Sequence, residues 1–261
     1  MLLPRVLTAV VGIPLLLWLI HAGGLAWAGF VVAVAVLCVY EYGLILTAGG
    51  RPVQRLNLIF CGGALALSVA LGGPSEAVLT AVTAAVVLRE MFSRQRSLER
   101  LCFTLFGALF LGWMPAHLAL IRGLRPDGEK LTFLIFITIW ILDTAAYAAG
   151  KSFGRHKLAG GLSPKKTWEG AVAGWLGAVG AALLLRGLLR PESLGPLGAL
   201  ALGALLGVCG QLSDLAESLV KRAVGAKDSG NLLPGHGGIM DRFDAFILAA
   251  PAAYYFLILR W

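Results

Sequence analysis

Charge is what this sequence is short of. Only 14% of its 261 residues are Asp, Glu, Lys or Arg, against 58% that are hydrophobic, and the mean hydropathy is +0.82. A soluble domain usually carries roughly a quarter charged residues. Too few exist here to coat a water-facing surface, which argues against a soluble bundle and for an exterior that mostly faces lipid. Cysteine is scarce too. Cys38, Cys61, Cys102 and Cys209 stand singly in apolar stretches, with neither metal-ligand spacing nor a disulfide framework. Acidic residues are the minority sign, 14 against 22 Lys and Arg, leaving a net charge of +8. The basic residues sit in short clusters between apolar runs rather than on one domain face. That pattern suits membrane orientation and gives no support to nucleic-acid binding.

What the chain does have is apolar runs of spanning length. A membrane helix needs about 20 mostly apolar residues. Nine runs qualify as candidates, at 5–21, 25–47, 56–71, 75–91, 101–121, 131–150, 169–187, 195–221 and 239–260, so the expected fold is an all-α polytopic membrane protein of about nine helices. The run after Arg5 flows into another hydrophobic segment, so it reads as a retained first helix rather than a cleaved leader. With the N-terminus in the cytoplasm, sixteen of the 22 Lys and Arg fall on the cytoplasmic side and six on the other, which favours that orientation. Gly170 with Gly174, and Gly203 with Gly207, have the fourfold spacing that lets helices approach closely in lipid. Charge divides the chain into an N-terminal scaffold, 1–130, and a C-terminal part, 131–261, that carries the chemistry; before it, Glu41 is the main intramembrane charge.

Two clusters break the apolar pattern. The first runs from Asp143 through Lys151, Arg155, His156, Lys157, Lys165 and Lys166 to Glu169, a basic loop that suits a polyanion or anionic headgroups. In the second, Asp214, Glu217, Ser218 and Lys221 share one face of a continuing helix. Asp214 there either serves a site or pairs with Lys221. Asp241 and Asp244 are three apart and can point into one cleft. With Asp214 they offer hard oxygen ligands of the kind magnesium takes, although Asp241 can equally complement a helix N-terminus. Between these helices, glycines surround His236, and Lys221, Arg222 and Lys227 lie nearby: the makings of an anion cradle.

The run Ser218-Leu219-Val220-Lys221-Arg222, then Lys227-Asp228-Ser229-Gly230, then Leu233-Pro234-Gly235-His236-Gly237-Gly238-Ile239-Met240-Asp241-Arg242-Phe243-Asp244 resembles the signature of the phosphatidate cytidylyltransferases, the CDP-diacylglycerol synthases. Ser163-Pro164-Lys165-Lys166-Thr167-Trp168-Glu169-Gly170 is similar to that family's other characteristic loop. The resemblance implies an enzyme of the bacterial inner membrane that converts phosphatidate and CTP to CDP-diacylglycerol and pyrophosphate with magnesium, with potassium a candidate second cation and a homodimer the expected assembly. Carried onto this chain, it gives Asp214, Asp241, Asp244 and Lys221 as catalytic, with the three aspartates on the metal. Ser218, Arg222, Lys227, Asp228, His236, Gly237, Gly238, Arg242, Lys165, Lys166 and Thr167 would meet substrate. A CTP-dependent lipid-alcohol kinase, which would release CDP, is the nearest rival. An ion-coupled transporter is the rival from another class.

Overall fold

The computed structural model describes residues 3–230, 232 and 237–259, with side chains from residue 10 onward. Helix dominates: α1 Leu3–Ala22, α2 Gly24–Ala48, α3 Arg55–Ala70, α4 Ser75–Met91, α5 Leu98–Gly107, a π-helical turn Ala108–Trp113, and α6 Met114–Gly123. There follow α7 Gly128–Phe153, a hairpin of β1 Lys157–Ala159 and β2 Ser163–Thr167, α8 Trp168–Leu189, α9 Pro196–Ala223, α10 Met240–Phe243 and α11 Phe246–Leu259. The all-α expectation is met.

Among the described residues six helical segments are long and apolar enough to cross a membrane: Gly24–Ala48, Leu98–Gly123, Gly128–Phe153, Trp168–Leu189, Pro196–Ala223 and Met240–Leu259. The expected count of nine is therefore not reached by length and composition. Val10–Ala22 and Arg55–Ala70 are shorter apolar helices. α4 has 17 residues and carries Glu76, Arg89 and Glu90, so it rises only about 26 Å and does so with charge at both ends.

The chain divides into two compact units. The first comprises Met1–Leu120 and Val220–Phe243, so the segment after α9's last turn belongs with the N-terminal helices. Its core is built from Trp27, Tyr42, Leu58 and Leu65, all essentially inaccessible. Small residues bring the backbones together, which in lipid replaces the missing hydrophobic drive. A side chain at Gly112 would come within 2.6 Å of the Gly62 Cα, and one at Gly62 within 2.8 Å of Val39. The Trp27 indole N–H donates to the Leu118 carbonyl at 3.0 Å. The π turn sits just before Pro115, whose missing N–H leaves the Leu111 carbonyl without its usual helical donor. At one end, buried Glu90 accepts from Nε and Nη2 of Arg100 (2.9 and 2.6 Å), from Gln54 (2.8 Å) and from the Ser97 amide (2.6 Å), tying α3, α4 and α5.

The second unit comprises Ile121–Leu219 and Asp244–Trp261. Both glycine pairs act inside it. A Cβ at Gly170 would lie 2.7 Å from the Ala146 carbonyl, and one at Gly174 2.9 Å from the Ala146 side chain, so α7 and α8 pack backbone to backbone. Gly203 meets Ala182 and Ala178, and Gly207 meets Trp175, which seats α9 on α8. Near the start of α7, buried Asp127 accepts from the Ser193 amide at 2.7 Å, with Lys130 3.4 Å away. Burial pushes that carboxyl's pKa up, but the Ser193 donors and Lys130 outweigh it and hold the group below its ordinary range.

Candidate active site

The basic loop expected after α7 is a hairpin, and its turn of chain lines a cavity in the second unit. The cavity measures about 570 Å³. Lys151 reaches it from the last turn of α7, Lys157 from β1, and Lys165 and Lys166 from β2, while Asp143 and Asp214 supply negative charge. β1 and β2 pair antiparallel, Lys157 opposite Thr167 and Ala159 opposite Ser163. The hairpin is pinned to α8 at three points. Thr167 caps the helix, its hydroxyl accepting from the Gly170 amide at 3.2 Å. The Trp168 amide donates to the His156 carbonyl at 2.9 Å, and His156 Nδ1 lies 2.6 Å from Glu169. Lysines on a pinned hairpin are held at a defined place, as phosphate recognition requires. Lys166 Nζ is 2.6 Å from Asp214 Oδ2, joining β2 to α9.

Asp244 is set by a break in a helix. The apolar run at 239–260 was expected to be one helix, but α10 ends at Phe243 and α11 begins at Phe246. The reason lies on α9. The buried Ser213 hydroxyl donates to the Asp244 carbonyl and accepts from the Leu248 amide at 3.0 Å. It thus stands between the two groups that an unbroken helix would join directly, and insertion into the ladder is a known cause of kinks. The Asp244 carboxylate then folds back to accept from the Ala245 amide at 2.8 Å. Asp214, Glu217 and Asp143 lie within electrostatic range of it, so three other carboxylates of this unit act on Asp244.

The first unit holds the signature loop. Lys221 Nζ is 2.6 Å from Asp241 Oδ1. Asp241 Oδ2 accepts from the Ser229 and Gly238 amides, each at 2.9 Å, and the Ser229 hydroxyl oxygen lies 2.9 Å from it. Gly237 has φ +84, a conformation that side chains rarely adopt, and a Cβ there would sit 3.0 Å from Asp241. Behind this arrangement stands Glu41, wholly buried, accepting from the Ser229 hydroxyl at 2.8 Å and from the Ile239 and Met240 amides, each at 2.9 Å.

The sequence-predicted residues are thus distributed. Lys165, Lys166, Thr167 and Asp214 come together at the cavity, with Ser218 near Asp214 on the same helix. Lys221, Asp241, Gly237 and Gly238 come together at the loop. Arg222, Lys227, Asp228 and Arg242 are exposed, and Arg222 donates to the Ala226 carbonyl at 2.8 Å. His236 lies outside the described residues. Asp143, Lys151 and Lys157 stood out in the sequence as members of the charged cluster without individual site roles. Gln211 and Ser213 were missed, because each needs the fold to bring it near the rest. Glu41 did carry a signal, as a lone acid in an apolar run.

Among the described residues no three His, Cys, Asp or Glu side chains converge as a ready-made metal site. The donor chemistry of the second unit nevertheless fits a hard cation. Asp214 and Asp244 are carboxylates crowded by like charge, and magnesium typically takes one or two carboxylates, with water and substrate phosphate filling the other positions. Asp241 has both oxygens engaged within the loop.

Comparison with known proteins adds the family. The profile of the cytidylyltransferase family matches residues 3–259. The chain is 35% identical over 256 residues to a phosphatidate cytidylyltransferase of Brucella suis, covering 97% of this chain and 92% of that one. It is 31% identical over 283 residues to the enzyme of the same name from Synechocystis, covering 98% and 96%. With that of Bacillus subtilis it shares 37% identity over 183 residues, 70% of this chain and 66% of the other. A match of this extent, on a chain whose charged residues gather where the signature lies, establishes that the protein belongs to the cytidylyltransferase family.

Proposed function

We propose that the chain is an integral membrane phosphatidate cytidylyltransferase, joining phosphatidate and CTP to give CDP-diacylglycerol and pyrophosphate. The observation that carries this reading is the cavity lined by Lys151, Lys157, Lys165 and Lys166 together with Asp143 and Asp214, built from the membrane-length helices α7 and α9 and the hairpin after α7. Four cations suit phosphate oxygens. Their position, Lys151 on the last turn of α7 and the others on the hairpin that joins α7 to α8, suits a substrate whose acyl chains stay in the bilayer.

In the reaction a phosphatidate phosphate oxygen attacks the α-phosphorus of CTP. A new P–O bond forms in line as the bond to the β-phosphate bridging oxygen breaks, and pyrophosphate leaves with that electron pair. Little covalent work falls to the protein; positioning and charge neutralisation dominate. Lys165 and Lys166 hold phosphate oxygens, with Lys166 oriented by Asp214. Phosphate binding is assigned also to Lys221, Arg222 and Lys227 of the first unit. Asp214 and Asp244 are the residues to hold magnesium, which when bound would neutralise phosphate charge and polarise the reacting phosphoryl group. Asp241 is assigned to orienting Lys221 and the loop rather than to the ion, because its oxygens already accept from Lys221, Ser229 and Gly238. The chain's charge bias supports an N-terminus on the cytoplasmic side, and the family resemblance supports a homodimer in the cytoplasmic membrane.

The test is turnover of purified protein with phosphatidate, CTP and magnesium, beside Asp244→Asn. The expected outcome is loss of at least about a hundredfold in kcat, the scale seen when a charge-stabilising group is removed, with unchanged elution and melting. An Asp244→Asn variant that turns over at the wild-type rate removes Asp244 from the chemistry.

A further inference from the structure

Glu41 has no place in the mechanism above, yet it is buried to 0% exposure on a helix of membrane-spanning character. A carboxylate in such surroundings is costly unless its oxygens are met by donors. Among the described residues its donors come from the signature loop, nearly two hundred residues away: the Ser229 hydroxyl on Oε2 at 2.8 Å, the Ile239 amide on Oε1 at 2.9 Å and the Met240 amide on Oε2 at 2.9 Å. Ser229 then passes the contact on. Its hydroxyl also stands 2.9 Å from Asp241 Oδ2, and Asp241 holds Lys221 at 2.6 Å. The loop's glycines are cut to fit. A Cβ at Gly230 would lie 3.0 Å from Glu41, and one at Gly238 would collide with both the Ser229 hydroxyl and the Glu41 carboxylate.

We infer that Glu41 is a positioning residue for the reaction: its carboxylate clamps both ends of the signature loop and, through Ser229 and Asp241, sets where Lys221 presents its charge to substrate phosphate. This rests on the synthase reading. A glutamine in its place has the same shape but one acceptor oxygen, and its amide N–H groups would face backbone N–H donors. The loop would then lose at least one tether and shift.

Glu41→Gln, Ser229→Ala and the double variant are purified beside wild type, and kcat, both KM values, elution and melting are measured. The expected result is a rise of at least fivefold in the KM for CTP or for phosphatidate in each single variant, with elution unchanged. In the double variant the rise should be about that of the worse single, because both act on one chain of contacts. A structural role alone would lower the active fraction, reducing apparent kcat along with the melting midpoint while both KM values stay at wild type; that outcome overturns the inference, as does a multiplicative double variant. If Glu41→Gln does not fold, Ser229→Ala decides by the same KM criterion. Active wild type with unmoved KM values overturns the clamp and leaves the synthase reading standing, whereas inactive wild type overturns both.

Discussion

Lys166 and Asp214 meet at 2.6 Å on the wall of a cavity that also holds three other lysines, and neither is deeply buried. A contact of that kind adds little stability, since part-exposed ion pairs are worth about 0–1 kcal/mol. Its use is orientation: the ammonium is held facing the cavity, ready to exchange the carboxylate for phosphate. Hydrogen bonds to charged groups are worth about 1.5–3 kcal/mol, or about ten- to a hundredfold in binding. Lys166→Gln is therefore expected to raise a substrate KM about tenfold or more with melting unchanged, as steady-state kinetics and a thermal scan would show. Unmoved KM values would remove Lys166 from substrate binding. At this scale the sequence was partly legible. The basic pair, the aspartates and the oddity of Glu41 stand out in an apolar chain; what Glu41 holds does not, because Ser229 lies 188 residues away.

Elements show the same division between local and distant causes. Eight of the nine apolar runs appear as helical segments close to their expected bounds, and the ninth is divided into α10 and α11; apolar length and flanking glycines are local signals. The break between α10 and α11 was not legible. Its cause is the hydroxyl of Ser213, 31 residues before Asp244, inserted where the Leu248 amide would otherwise reach the Asp244 carbonyl. The hairpin over Lys157–Thr167 was also missed, since a short, lysine-rich strand pair has no clear alternation of apolar residues. Ser213→Ala tests the break. Without the hydroxyl the two backbone groups can bond directly, so stability should change by no more than about 1 kcal/mol. Asp244 would be re-aimed, and activity should fall at least tenfold. Activity assays and melting curves on the same preparation check this; full activity would show that the break does not set Asp244.

The whole molecule combines a family match along nearly its full length with six helices fit to cross a membrane among the described residues. Its division into units cuts through the signature itself: Lys221, Ser229 and Asp241 belong to one, Asp214 and Asp244 to the other. The expected partition near residue 130 followed charge along the sequence, and sequence order does not reveal that Val220–Phe243 packs with the N-terminal helices. Orientation is a property of this scale. Single cysteines placed at Lys157 in the hairpin and at Glu192 beyond α8, both exposed, should react differently with a membrane-impermeant thiol reagent in a background lacking the native cysteines. The proposed topology, nine spans with the N-terminus inside, predicts labelling of Glu192→Cys in intact cells and of Lys157→Cys only after permeabilisation; the reverse pattern would overturn it.

The central claim is that the cytidylyl group, with its α-phosphate, is transferred whole. Purified protein is given phosphatidate and magnesium with CTP labelled either at the α-phosphate or at the γ-phosphate, and the lipid and aqueous fractions are counted. The account predicts that α-label enters the lipid as CDP-diacylglycerol while γ-label leaves in pyrophosphate, in equal amounts. Label passing from the γ-phosphate into lipid, with CDP released, would contradict it and make the protein a lipid kinase.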